Sequence, residues 1–448
     1  NYKQRYLLEV NGRYDGSSKF AKDHRYAFFP SVSAAWRISE ENFWQPLKGW
    51  WNDMKIRGSY GSLGNQVMDD LGNFPYLATY GTNSSYNYLI NGSKPVIVKA
   101  PGLVAPDFTW ETVTQMDFGF DASFLNNRLT GTFDWYRRNT KDMLVAGATL
   151  PATLGASVPK SNSADMKTIG WELSLGWNDR LENGFSYWVK GVLSDYQATI
   201  TKYAGNDAGF YSQSDDDGKY YVGQKIGEIW GYHSNGLFQS DDEAATIDQS
   251  ELYAGKWGAG DVKYEDLDND GKITKREETI YNPGDKSIIG NKTPRYQFGI
   301  TVGFDYKNFD FEMFWQGTGK RDYMLSGAQF WGFTSQWDVP YTPALDYWTE
   351  TNTDAYFPRP GWQNGGNRVT SDRYLQSAAY GRLKNLTVGY TIPKNLTTKW
   401  GISRLRLYVT GENLLTITPL NDAFDPETLG GMTYPINRKV AIGLNLTL

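Results

Sequence analysis

The chain has 448 residues, enough for two or three domains or one large barrel, and no Cys, which removes disulfides, thiolate metal sites and thiol catalysis. Its 45 basic and 50 acidic residues are dispersed and leave a net charge of -5, so nothing points to nucleic acid. With 47 Gly, 31 Tyr and 17 Trp, and no apolar run near the ~18 residues of a membrane helix, the composition favours strands and leaves a membrane barrel open.

Alternation at period two marks the strands. The first is Tyr6 to Tyr14, with Tyr6, Leu8, Val10 and Tyr14 opposite Glu9, Asn11, Arg13 and Asp15. Phe29 to Ser39 and Met54 to Gly61 follow. The clearest segment is a hairpin over 110–136, in which Met116, Phe118, Phe120, Ala122 and Phe124 lie opposite Gln115, Asp117, Gly119, Asp121 and Ser123. Its second strand sets Leu129, Gly131, Phe133 and Trp135 against Thr130, Thr132, Asp134 and Tyr136. Ile169 to Trp177, Phe185 to Leu193, Phe298 to Phe304 and Phe309 to Trp315 repeat the pattern. Leu386 to Tyr390, Leu405 to Val409 and Val440 to Leu448 complete twelve strands.

The connections alternate in length. Short ones fall at 125–128, 178–184, 306–308 and 394–404, with 39–53 in the same series and long enough for one helical turn. Long ones cover 62–109, 137–164, 195–295, 317–375 and 413–438. Short turns on one rim and long loops on the other are the layout of an outer-membrane barrel. The alternative is a soluble, extracellular glycan-binding β-protein whose apolar face is an internal core. Against it stand Gly119, Gly170, Gly176, Gly299 and Gly303 in mid-strand, which weaken a water-facing sheet. Trp135, Tyr136, Trp171 and Trp177 read as lipid-facing or girdle residues.

Several segments together resemble the SusC/RagA-like TonB-dependent transporters of the Bacteroidetes outer membrane. They include FPSVSAAWRISEENF (Phe29–Phe43), KIRGSYGSLGNQ (Lys55–Gln66), GYHSNGLFQS (Gly231–Ser240), IIGNKTPRYQFGI (Ile288–Ile300), YGRLKNLTVGYTIP (Tyr380–Pro393) and GENLLTITPLNDAFDPE (Gly411–Glu427). The resemblance implies an all-β, antiparallel transmembrane β-barrel of about 22 strands around an N-terminal plug. It implies import of oligosaccharides or peptides, driven by the TonB–ExbB–ExbD complex, beneath a SusD-like surface lipoprotein. Twelve strands would then be the C-terminal part of such a barrel, residues 1–448, with the plug and the remaining strands outside this chain.

The sharpest local motif is DLDNDGKITKRE, residues 266–277. Asp266, Asp268 and Asp270 take positions 1, 3 and 5 of a calcium loop, Gly271 the sharp turn and Ile273 the apolar position. The Lys272 carbonyl, Thr274 and Glu277 complete an oxygen ligand set for Ca²⁺, with a structural role; the plain alternative is an acidic turn held by Asx bonds. Asp215, Asp216, Asp217 and the Asp241–Asp242–Glu243 run read as solvated loop faces. Trp230, Trp257, Trp331, Trp337, Trp348 and Trp362, in the long loops, could stack on sugar rings, pack the loops or meet a lid. Two His, His24 and His233, leave little for a His-based catalytic or metal site, so no enzyme is expected.

Overall fold

All twelve alternating segments form strands of one antiparallel sheet, each paired with its neighbours in chain order. They are β1 (Tyr6–Gly16), β2 (Tyr26–Arg37), β3 (Trp51–Asn65), β4 (Glu111–Phe124), β5 (Leu129–Ala146) and β6 (Lys160–Arg180). β7 (Ser186–Tyr203), β8 (Arg295–Tyr306), β9 (Phe309–Lys320), β10 (Tyr380–Thr391), β11 (Arg404–Ile417) and β12 (Lys439–Thr447) complete the wall. The computed structural model describes all residues except 67–72, 84–88, 106, 147–149, 205–208, 210–219, 431–433 and 435, so Asp215, Asp216 and Asp217 lie outside the described residues.

Register carries the apolar residues across the sheet as a continuous belt. Val10 faces Val32, Val32 faces Tyr60 and Tyr60 faces Met116. Phe120 faces Phe133, then Leu173, Leu193 and Phe298 follow strand by strand. Cross-strand partners share a face, so these residues form one belt, and among the described residues no second large sheet packs on it as in a sandwich. It is open to its surroundings, with Val10 at 69%, Phe118 at 54% and Ile442 at 83% exposure. Apolar surface of that extent is stable against lipid, not water.

The short rim is made by tight turns and by two connections with short helical pieces, the second being Lys394–Thr397 and Thr398–Trp400 between β10 and β11. Leu125, Asn126 and Asn127 all take positive φ (55°, 59° and 63°) between β4 and β5, a conformation the two Asn tolerate well. Between β2 and β3 the sequence suggested one helical turn; two 3-10 helices form instead, Ile38–Glu40 and Asn42–Leu47.

The opposite rim departs most from expectation. The strands outrun their apolar stretches: β5, β6 and β7 continue above the belt, where the same face carries Arg137, Asp195 and Gln197. Parts of the connections 204–294, 321–379 and 418–438 then pack into a cap with its own core. Tyr232, Val262, Tyr264, Ile273, Phe330 and Tyr374 are at 2% exposure or less there, joined by Trp331, Trp348 and Leu420. Two short antiparallel pairings, Glu228–Tyr232 with Lys286–Asn291 and Ser234–Leu237 with Val262–Tyr264, lie in it.

Candidate sites on the wall and in the cap

The polar face of the wall is organised by arginines. Arg57 on β3 reaches Asp134 (Nη2 to Oδ2, 2.7 Å), Asp121 (3.4 Å) and Asp117 (3.7 Å) on the next two strands, while Lys55 lies 3.5 Å from Asp121. Carboxylates that alternation placed on this face are thus paired by the wall itself. On the far side Arg406 donates to Asp310 (Nε to Oδ1, 2.9 Å). Buried Arg382 meets Asp425 (2.6 Å) and Glu427 (3.2 Å), and Lys384 meets Glu427 (3.0 Å), which ties the connection 418–438 down onto β10.

The mid-strand glycines serve these side chains. A Cβ at Gly119 would collide with Asp134 and Arg57, one at Gly389 with Asp310 and Arg406, and one at Gly303 with the Trp188 ring. The same geometry corrects one assignment. Trp135 and Trp171 face each other on the apolar side and Trp177 faces Leu129 there, but Tyr136 pairs with Asp117 and Gly170 on the polar side. Its ring lies over Gly170, a seat that only the absence of a Cβ provides.

In the cap, most of the candidate stacking tryptophans are structural. Trp230, Trp331 and Trp348 are buried at 7–9%, and Trp257 is half-buried with its indole donating to the Tyr253 carbonyl (3.0 Å). Trp337 and Trp362 stay accessible, at 83% and 45%. Trp337 rides a turn in which the Asp338 carboxylate accepts from the backbone N–H groups of Thr334 and Ser335 (2.7 Å each). The Thr334 hydroxyl and these N–H groups hold the Asp338 carboxyl below its usual range. Asp241, Asp242 and Glu243 are not a loop face but the first turn of a short helix, with Ser240 accepting from the Glu243 N–H (3.1 Å).

The acidic loop folds as its spacing suggests at some positions and differently at others. Gly271 has φ +82°, and Ile273 is fully buried in the cap core, where its N–H donates to the Asp248 carbonyl (2.8 Å). The Asp266 carboxylate accepts from the Gly271 N–H (2.7 Å), and Asp270 from the Lys272 N–H (2.9 Å). Ligand oxygens of Asp266, Asp268 and Asp285 lie within 4.8 Å of one another. Asp285 was invisible to the twelve-residue pattern because it sits beyond its end, and Glu277 is exposed and not in that trio. The Thr274 hydroxyl points to Asp285 (3.3 Å), and Arg276 spans Asp268 (2.5 Å) and Asp270 (2.8 Å).

A further polar junction has no counterpart in the sequence reading. His233 bridges two connections, with Nδ1 2.7 Å from Asp372 and Nε2 2.7 Å from the Ser287 hydroxyl. The second Asp372 oxygen accepts from the Ser234 N–H (3.0 Å), so the carboxylate is pinned on both sides. Next to it Lys286 is almost fully buried, paired with Glu278 and 5.4 Å from the Tyr232 ring centroid; burial pushes its amine below the usual range. His233, Ser287 and Asp372 come from segments far apart in the chain, which is why spacing gives no signal for them.

Residues 1–414 match the family described as TonB dependent receptor-like, β-barrel. The chain is 30% identical over 466 residues to TonB-dependent receptor P26 of Formosa agariphila, covering all of this chain and 45% of that protein. It is 28% identical over 449 residues to the TonB-dependent receptor SusC of Bacteroides thetaiotaomicron, covering 99% of this chain and 42% of that one. Among solved structures it superposes on the RagAB peptide importer in the open-open state with TM-score 0.77 at 22% identity, covering 100% of this chain and 46% of that chain. The chain thus spans under half the length of the relatives it matches.

Proposed function

Because the chain belongs to the TonB-dependent receptor β-barrel family, whose members are outer-membrane transporters and not enzymes, we propose that it forms part of the barrel of an importer of nutrient oligomers, either oligosaccharides or peptides. The plug and the remaining strands would lie outside this chain. β1 and β12 support this, since neither free edge among the described residues carries a proline or bulge that would protect it. A SusD-like surface lipoprotein would close the mouth above the cap, and the TonB–ExbB–ExbD complex would supply energy through the part outside this chain.

The observation that carries the reading is the polarity of the wall: tight turns on one rim, a folded cap on the other, and an exposed apolar belt between them. Deleting the gene should abolish growth on one class of oligomer while growth on its monomer continues, and the intact gene should restore it. Unchanged uptake of every oligosaccharide and peptide offered would overturn the reading.

The acidic loop is proposed as a structural calcium site that staples the cap. Asp266, Asp268 and Asp270 with the Lys272 carbonyl, Thr274 and Glu277 were the expected ligands; the convergence of Asp266, Asp268 and Asp285 favours Asp285 as an additional one. Three carboxylates suit a hard cation. Arg276 pairs with Asp268 of that trio and with Asp270, and would have to swing aside. A saturating cation at a hundredfold excess over Kd should add about 2.7 kcal/mol to cap stability. Asp268→Ala with Asp270→Ala should abolish that thermal shift, and absence of any shift in the parent protein would refute the site.

A further inference from the structure

The crossover between β2 and β3, residues 38–50, does not hang free of the short-turn rim. Three separate contacts fold it back onto the apolar face. The Glu41 carboxylate accepts from the Tyr6 hydroxyl (2.6 Å) and the Trp36 indole (3.1 Å), both of which are belt residues. Trp44 is buried with its indole donating to the Trp51 carbonyl (3.1 Å) and its ring 4.7 Å from that of Trp51. Trp50 and Trp51 in turn stack on Phe124 at 6.0 and 5.0 Å, at the lower end of the belt.

With those contacts made, two large apolar groups remain more than half exposed: Phe43 at 62% and Trp50 at 51%. In and beside the same crossover Lys48 and Arg37 lie 3.7 and 3.5 Å from Glu40, and Arg37 lies 3.6 Å from Asp53, so its charges are paired rather than a basic patch. An aromatic pair continuous with a lipid-facing belt and edged by paired charges matches the boundary between acyl chains and headgroups. The short connections 125–128 and 306–308 are plain turns, while the one between β10 and β11 carries a short helix, Lys394–Thr397, and a 3-10 turn, Thr398–Trp400, with Trp400 also exposed.

We infer that residues 38–50 form an interfacial foot, which seats Phe43 and Trp50 in the headgroup boundary of the periplasmic leaflet. The occupant of this surface is phospholipid, because Trp50 stacks on Phe124 of the membrane-facing belt and Glu41 bonds the crossover to the belt residues Tyr6 and Trp36. The inference rests on the reading of the apolar face as lipid-facing, and the two can be tested separately.

The chain has no Cys, so single labels are unambiguous within it. Phe43→Cys and Trp50→Cys, each spin-labelled in the intact receptor in phospholipid nanodiscs, are compared with Phe118→Cys in the belt and Glu182→Cys in a short turn. Any cysteines elsewhere in the receptor are replaced by serine. Collision with oxygen relative to a water-soluble nickel chelate should be several-fold higher at both foot positions than at Glu182, approaching the value at Phe118. A Glu182-like ratio at either foot position, with Phe118 lipid-exposed, overturns the foot and points to a water-facing surface for a periplasmic protein. A Glu182-like ratio at Phe118 itself overturns the lipid-facing reading instead.

Discussion

The wall and the cap use the same apolar side chains in opposite directions. Phe118, Val388 and Ile442 stand out from the wall at 54%, 44% and 83% exposure, whereas Phe330, Val262 and Tyr374 in the cap are at 1%, 0% and 0%. The wall is held by an unbroken hydrogen-bonded ladder through twelve strands, and its apolar belt is satisfied by what surrounds it. The cap has little ladder and is held by packed aromatic rings, such as Trp331 against Tyr374 at 4.6 Å and Phe330 against Phe357 at 5.1 Å. Exposure of a large hydrophobe is therefore no defect here. It identifies the solvent that each region was built for.

The contrast can be broken at several points. Phe330→Ala should have the largest effect, about 3–5 kcal/mol, and it should be confined to the cap. Proteolysis should then cut within 204–294 and 321–379 while the wall still runs as a folded barrel in unheated SDS gels. Loss of the barrel as well would mean that the two regions fold as one unit. Phe118→Lys should do the reverse, costing about 2–4 kcal/mol at mid-bilayer and reducing assembled receptor in the membrane. Normal assembly of that variant would place the face away from lipid.

Smaller effects sharpen the account of the polar face. Arg57→Ala leaves Asp117, Asp121 and Asp134 without their shared cation, and a loss of about 1–3 kcal/mol is expected in a denaturation midpoint. Asp121→Asn should change the same midpoint by less than about 0.5 kcal/mol, because Asp121 is only one of the three carboxylates and is partly solvated. If Asp121→Asn proved the more damaging, the network would be centred on Asp121 rather than on Arg57.

Much of the wall is legible in the sequence. Each of its twelve strands showed period-two alternation over at least two or three apolar positions, and each was found in place and in order. What alternation could not show was where strands end. Above the belt β5 reads RRNTKDMLVA, which has no consistent face, yet it continues pairing with β6 to Ala146. For Tyr136, parity points to the polar face and residue type to lipid, and its pairing with Asp117 and Gly170 follows parity.

The candidate sites were less legible. Asp266, Asp268 and Asp270 were marked by spacing within one turn of chain, and Gly271 takes the positive φ that the pattern demands. Asp285 reaches the same place from outside the pattern, as do Ser287 and Asp372 to His233. Trp331, Trp348 and Trp337 look alike in the sequence, and only packing separates two core residues from one exposed ring.

The sequence by itself determined the wall: strand count, order, facing and the alternation of short and long connections. These follow from contacts between adjacent strands, whose register is written in a local two-residue period. Only the tertiary structure decided that the long connections form a cored cap, that glycines such as Gly119 and Gly303 are seats for neighbouring side chains, and that residues 38–50 fold back onto the apolar face. Those outcomes depend on side chains far apart in the chain meeting in space, and no local period encodes such meetings.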